Sequence, residues 1–220
     1  MTNRPYFTTS ARRLGIVSAG GVVALELAYL GALVAGLAAL PSPDAPIGNP
    51  WFTVLEVLIL MLVPFMVLFM VSVHAWSPEE TRTYGLGAAL FMTLVAGVTS
   101  AVHLGILTLG RHEGFADMGW LFSFTWPSVA YAMDILAWDL FFPIAVFCAV
   151  PVFRREPEDR RIRLVLIWSG ALALAGLAGA FLGDMRVRNV GIVGYVGLFP
   201  VAVALIGLRW RDYRPGTTRP

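Results

Sequence analysis

Five acids and two histidines fall in or beside long apolar stretches: Glu26, Glu56, Asp134, Asp139, Asp184, His74 and His103. Ionisable groups in such places are costly and serve a reaction site or a pairing role. A carboxylic acid held in an apolar pocket can act as a general acid, and a carboxylate or imidazole as the matching base. Aromatic faces nearby can stabilise a developing cation. Trp51, Phe52, Trp120, Phe124, Trp126, Tyr131 and Trp138 supply such faces. Tyr131, Asp134 and Trp138 follow i, i+3, i+7 spacing and share one helical stripe. This combination suits protonation of an alkene or epoxide followed by carbocation rearrangement. The expected roles are Asp134 as acid, with Glu56 or His103 as its hydrogen-bond partner or the terminating base. Asp139 lies five residues on, about 140° around an α-helix, so it need not share that centre, and it joins the catalytic set, lines a deeper part of the cavity beside Phe142, or pairs with Glu26 or a backbone group. Trp126, Tyr131 and Trp138, with Trp51, Trp120 and Asp184, are expected around the substrate.

The elements that must hold these residues are membrane spans. Of the 220 residues, 58% are hydrophobic and only 14% charged, and the mean hydropathy is +0.74. A water-soluble domain carries about 25% charge, so a soluble enzyme, a disordered tail and a fibre are disfavoured. A bilayer crossing needs about 20 apolar residues. Six segments meet this, near 14–40, 51–73, 84–109, 127–152, 162–183 and 190–208. Each must satisfy its backbone internally, which predicts an all-α polytopic bundle forming one domain. Turn chemistry separates the spans: Pro41-Ser42-Pro43-Asp44, Ser77-Pro78-Glu79-Glu80, Arg111-His112-Glu113-Gly114, the charged run 154–161 and the polar run 184–189. The stretch 115–153 exceeds one span and leaves room for a short seventh. Pro127 instead suits the first position of the fourth helix, with Trp120 and Trp126 in an interfacial belt. Gly179-Ala-Phe-Leu-Gly183 and the stripe Gly191, Gly194, Gly197 predict close packing of helices five and six.

All sixteen basic residues are arginine. With the N-terminus inside, thirteen of them face the cytoplasm: Arg4, Arg12, Arg13, Arg82, Arg154, Arg155, Arg160, Arg161, Arg163, Arg209, Arg211, Arg214 and Arg219. Arg111, Arg186 and Arg188 lie outside. This bias predicts a cell-membrane protein with both termini cytoplasmic. Arg12-Arg13 faintly resembles an export signal, but the apolar run that follows is too long, so the first span is expected to be retained. At 1.5 Å per residue, Glu56, His103 and Asp134 fall roughly 8–10 Å below the outer surface and Asp139 roughly 18 Å. Asp184 sits near the same surface, Glu26 near the midplane and His74 at the inner boundary. Four acidic or imidazole groups from four helices thus share one slab, where convergence on a cavity is cheaper than facing lipid.

Lysine is absent, which removes Schiff-base pigments, pyridoxal enzymes and P-loop proteins. A single cysteine, Cys148, removes internal disulfides and multi-cysteine metal sites. No metal or other cofactor and no nucleic-acid contact is expected; a lipophilic small molecule and membrane lipids are the expected partners. Each residue also has a structural reading. Glu56 would cap its helix, His103 pack through hydrogen bonds, Asp184 pair with Arg186 or Arg188, and His74 and Trp76 anchor at the interface. In size, helix count and acid-plus-aromatic chemistry the chain resembles the small integral-membrane terpene cyclases of meroterpenoid pathways. In the same respects it is similar to membrane sterol isomerases of the emopamil-binding type. That likeness covers the general plan alone, and no residue role is transferred. It implies an isomerase or cyclase acting on an isoprenoid- or sterol-like molecule. A proton-coupled or small-molecule transporter and a non-catalytic ligand-binding or scaffold protein are the alternatives.

Overall fold

The computed structural model describes residues 4, 6–42, 45–154, 156–157 and 159–213. Pro43 and Asp44 of the first predicted turn, Glu158 of the charged loop, and Arg155, Arg214 and Arg219 lie outside the described residues. Six helices are long and apolar enough to cross a membrane: α1 (Thr9–Ala38), α2 (Trp51–Trp76), α3 (Glu79–Arg111), α4 (Val129–Phe153), α5 (Asp159–Leu182) and α6 (Met185–Asp212). The described residues contain no strand. Apolar side chains cover the outside as well as the core, with Val17, Leu27, Met61, Leu90, Trp168 and Phe181 all exposed. An exterior of this kind belongs in hydrocarbon, as a membrane protein requires.

Local chemistry accounts for the boundaries. Thr8 caps α1 by accepting from the Ala11 amide, so the helix begins before the arginine pair. Arg12 then reaches across to the Trp210 carbonyl at 2.7 Å. The fourth helix begins at Val129 rather than Pro127, because Ser128 is its N-cap and accepts from the Tyr131 amide at 3.1 Å. Before it, 119–122 forms one short helical turn and no seventh span.

Two helices are not regular. In α4 the segment Leu136–Phe141 is π-helical, and in α6 the segment Val193–Leu198 is too. A proline follows each, at Pro143 and Pro200. Proline cannot donate to the preceding turn and crowds the carbonyl four residues back, and the wide turn accommodates both effects. The flanking sequences match, Phe142-Pro-Ile-Ala-Val146 against Phe199-Pro-Val-Ala-Val203. Phe142 and Phe199 meet edge to face at 5.0 Å between centroids.

One end of the bundle, called outer after the orientation the arginines predict, carries the connections that follow α1, α3 and α5, and the opposite end, called inner, carries the start of α1 and the end of α6. The inner half is solid. Met66, Phe69, Met70, Phe142, Phe199 and Trp210 are fully buried there. Trp76 is buried among Phe7, Trp210 and Tyr213, not displayed as an interfacial anchor. It anchors inward because the Arg4 guanidinium lies 3.7 Å from its ring centroid and also donates to its carbonyl.

The small-residue pattern works differently from expectation. Gly183 ends α5 with φ +69°, and a Cβ added there would meet nothing within 4 Å; it forms a left-handed terminus that glycine favours. The close approach lies at Gly176, Gly179, Gly191 and Gly194. A Cβ on Gly179 would stand 2.5 Å from the Arg188 amide nitrogen, and one on Gly194 would stand 2.5 Å from the Ser169 carbonyl. Gly197 makes no such contact with another helix.

Candidate functional site

The outer half of the bundle encloses a cavity of about 480 Å³. Its walls come from α1, α2, α3, α4, α6 and the connections above them. Leu33, Leu37, Ile47, Leu55, Ile59 and Ile192 make it chiefly apolar. One wall is polar. His103 on α3 bridges two carboxyls, with Nδ1 2.8 Å from Glu56 Oε2 on α2 and Nε2 3.3 Å from Asp134 Oδ1 on α4. The other Asp134 oxygen accepts from Arg188 Nη2 at 2.7 Å. Arg188 Nε donates to Asp139 Oδ2 at 3.1 Å, and Nη1 donates to the Tyr131 hydroxyl at 3.2 Å. The guanidinium carbon also lies 4.9 Å from the Tyr131 ring centroid. Five ionisable residues from four helices therefore form one continuous chain, Glu56–His103–Asp134–Arg188–Asp139, and all five are buried.

The local backbone explains how they meet. Asp134 and Asp139 would diverge on a regular α-helix. The π turn begins between them, and its i→i+5 pattern brings residues five apart closer to one face, so one arginine grips both. Asp139 Oδ1 lies against bare backbone, 2.7 Å from where a Cβ on Gly191 would be and 3.1 Å from that of Gly176. Asp139 does not pair with Glu26. Arg188 comes from Met185–Arg188, a short helical turn capped by Asp184, whose Oδ1 accepts from the Arg186 amide at 2.9 Å. The missing side chains of Gly176 and Gly179 let that turn sink against α5 and carry the arginine inside.

The expected slab is thus brought together in three of its four members. Glu56, His103 and Asp134 meet. Asp184 does not; it is exposed and holds the turn that delivers Arg188. Tyr131 and Trp138 line the cavity with Phe52 and Phe124. Trp120 is 63% exposed and Trp126 38% exposed; neither lines the cavity, and Trp126 reaches it only through a ring contact with Tyr131 at 6.4 Å. Trp51 is half-buried and packs toward Gly36 of α1. Trp51 stands at the rim because it opens α2, and Trp120 and Trp126 because the 112–128 connection that carries them precedes the first turn of α4. His74 Nδ1 lies 3.2 Å from the Arg82 carbonyl at the far end of the bundle.

Sequence reasoning missed two groups. Arg188 was expected in an outer loop. Counting charges would have found it, since buried carboxylates require a cation. Glu26 was seen at mid-depth but given no role. It is 2% exposed, lines the cavity, and its Oε2 has no hydrogen-bond partner among the described residues.

The wall can store and pass a proton. An imidazole flanked by two carboxyl oxygens either donates from both nitrogens as imidazolium, or donates from one while a carboxyl carries the second proton. Both Asp134 oxygens are engaged by donors, which suits a fixed carboxylate. Glu56 uses one oxygen for His103 and lines the cavity. Among the described residues no group of three or more His, Cys, Asp or Glu is arranged to hold a metal ion. No protein-family model, no curated protein and no solved structure matches the chain.

Proposed function

We propose that the protein is an intramembrane acid–base enzyme acting on a lipophilic, isoprenoid- or sterol-like substrate by protonation-initiated isomerisation or cyclisation. The observation that carries this reading is the Glu56–His103–Asp134–Arg188 chain set into the wall of an otherwise apolar, drug-sized cavity. Charge neutrality is favoured in so dry a place. It is reached with Arg188 and an imidazolium at His103 balancing Asp134 and Asp139, which leaves Glu56 as a neutral acid. The acid role expected for Asp134 then passes to Glu56, and Asp134 becomes the anchor of the imidazolium. Glu56 gives its proton to a carbon–carbon double bond, or to an epoxide oxygen whose C–O bond breaks. The carboxylate left behind is held by the His103 N–H. Tyr131, Trp138, Phe52 and Phe124 present aromatic faces to the cation. Loss of a proton from a neighbouring carbon to Glu56 forms the new double bond and restores the acid, so no other reactant is consumed.

The solid inner half argues against the transporter alternative, since large side chains fill the space a through-path would need. The membrane placement belongs to the same proposal. Arg12, Arg13, Arg82, Arg154, Arg160, Arg161, Arg163, Arg209 and Arg211 gather at the inner end, and that bias puts it, with both termini, in the cytoplasm.

The test uses purified protein in nanodiscs, deuterium oxide, and a panel of isoprenoid alkenes and epoxides from farnesyl to squalene size. Deuterium on carbon, read by mass spectrometry, reports protonation of an alkene, and conversion of an epoxide to its ring-opened alcohol, read by chromatography, reports protonation of an epoxide oxygen. Glu56→Gln is expected to lower either rate by about 10²–10⁴. Trp120→Ala, at the exposed rim, should stay within about twofold. No carbon deuteration and no epoxide opening with any probe, or full activity in Glu56→Gln, refutes the reading.

A further inference from the structure

One part of the cavity wall takes no part in that proton chain. Glu26 presents a carboxyl whose Oε2 has no partner among the described residues, and the buried Trp138 indole N–H has none either. Both line the same cavity as Tyr29 and Tyr195. These four form a connected patch. Glu26 and Tyr29 are one helical turn apart on α1. Tyr29 and Tyr195 face the same cavity, and the Tyr195 ring centroid is 5.1 Å from that of Trp138. Buried polar groups are rarely left unanswered, because desolvation without a hydrogen bond is costly. The patch therefore has the form of a binding site for a polar ligand group.

Donor and acceptor chemistry defines the ligand. An indole N–H only donates, so the ligand atom there needs a lone pair, which an alkylammonium lacks. A phosphate or carboxylate head would need a cation. Arg188, the arginine on this wall, is already committed to Asp134, Asp139 and Tyr131. A hydroxyl meets both demands, donating to a carboxyl oxygen and accepting from an N–H or a phenol. We infer that the cavity takes a neutral lipophile bearing an alcohol, whose oxygen docks on Glu26 within the patch shared with Trp138, Tyr29 and Tyr195, with its hydrocarbon along the apolar walls. This deepens the reading above by naming the substrate class, and it rests on that reading only for the claim that the occupant reacts.

The test is binding, measured in the wild type and in Glu56→Gln, where turnover is suppressed. The full chain in detergent micelles is titrated with four probes sharing one chain: geranylgeraniol, its deoxy hydrocarbon, geranylgeranylamine and geranylgeranyl phosphate. Protein thermal stabilisation gives the micellar mole fraction for half-saturation. Geranylgeraniol is expected to bind at least about tenfold tighter than the other three. Glu26→Leu should shrink that advantage to below about threefold while hydrocarbon binding persists, and Glu26→Gln should keep most of it. If Glu26→Leu fails to fold, Trp138→Phe decides, with a partial loss of the alcohol preference expected. Equal binding of alcohol and hydrocarbon, preference for the amine or phosphate, no binding of any probe, or an undiminished preference in the folded variants overturns the inference. Glu56→Gln should retain the full preference. A protein that prefers the alcohol but neither deuterates an alkene carbon nor opens an epoxide keeps this inference and loses the enzymatic one.

Discussion

Replacing Arg188 by methionine removes a side chain that joins α4 to α6 through charge. The substitution deletes ion pairs at 2.7 Å to Asp134 and 3.1 Å to Asp139, together with the bond to Tyr131. Methionine fills much of the volume, so the loss is electrostatic rather than a void. Breaking a buried pair from one side typically costs about 3–5 kcal/mol, because the partner charge stays buried without compensation. Here two carboxylates lose their cation at once, which places the expected loss at the upper end of that range. Asp139 suffers most. Its Oδ1 already has no hydrogen-bond partner among the described residues, and Arg188 supplies the bond to Oδ2. Adding Asp139→Asn removes one orphaned charge, so the double variant should be more stable than Arg188→Met alone, and a double-mutant cycle should give a coupling of about 1–3 kcal/mol. The assay is reversible unfolding in mixed micelles, followed by tryptophan fluorescence for wild type, both single variants and the double. A loss below about 0.5 kcal/mol for Arg188→Met, the size of an ordinary surface substitution, would refute the argument. Strict additivity in the cycle would refute it too.

Two more perturbations probe the frame. Gly191→Ala puts a Cβ 2.7 Å from Asp139 Oδ1 and should destabilise by about 1–3 kcal/mol. Gly31→Ala meets nothing within 4 Å and should be neutral or slightly stabilising, as helix propensity dictates; thermal denaturation of the two side by side checks this. For sidedness, single cysteines replacing Glu113 and Glu156 in a Cys148→Ala background should react oppositely with a membrane-impermeant maleimide on intact cells. Glu113→Cys is expected to label and Glu156→Cys to stay silent, and the reverse pattern would invert the proposed orientation.

The spans were legible because bilayer thickness and backbone satisfaction leave few choices. Depth alone also put Glu56, His103 and Asp134 at one level, since their positions along three apolar runs are readable by counting. What counting could not supply is rotation about each helix axis. Asp139 was placed about 140° from Asp134 because the estimate assumed an unbroken α-helix. The π turn follows from how α4 packs and where Pro143 falls. Arg188 was hidden for a related reason. Two arginines in a short polar turn, Arg186 and Arg188, read as surface charge, and nothing in their order says which one the turn will fold inward. Trp76 was misplaced because aromatic residues at a span's end serve equally as interfacial belts and as packed ends. Glu26 was found but left without a task, because its isolation emerges only once every neighbouring donor has been placed.

The twin widened turns in α4 and α6 make the outer half of the bundle sensitive to residue number as well as residue type. A π turn holds one residue more than the α-helical turn it interrupts. Deleting a single residue from Leu136–Phe141 would restore a regular spiral and rotate everything before it by roughly 100° relative to the proline that follows. Asp134 and Tyr131 would swing off the wall while Phe142 and the inner plug kept their seats. The same excision in Val193–Leu198 would carry Arg188 away from both aspartates. Each helix thus contains a joint at which length, rather than composition, decides which way its upper half faces.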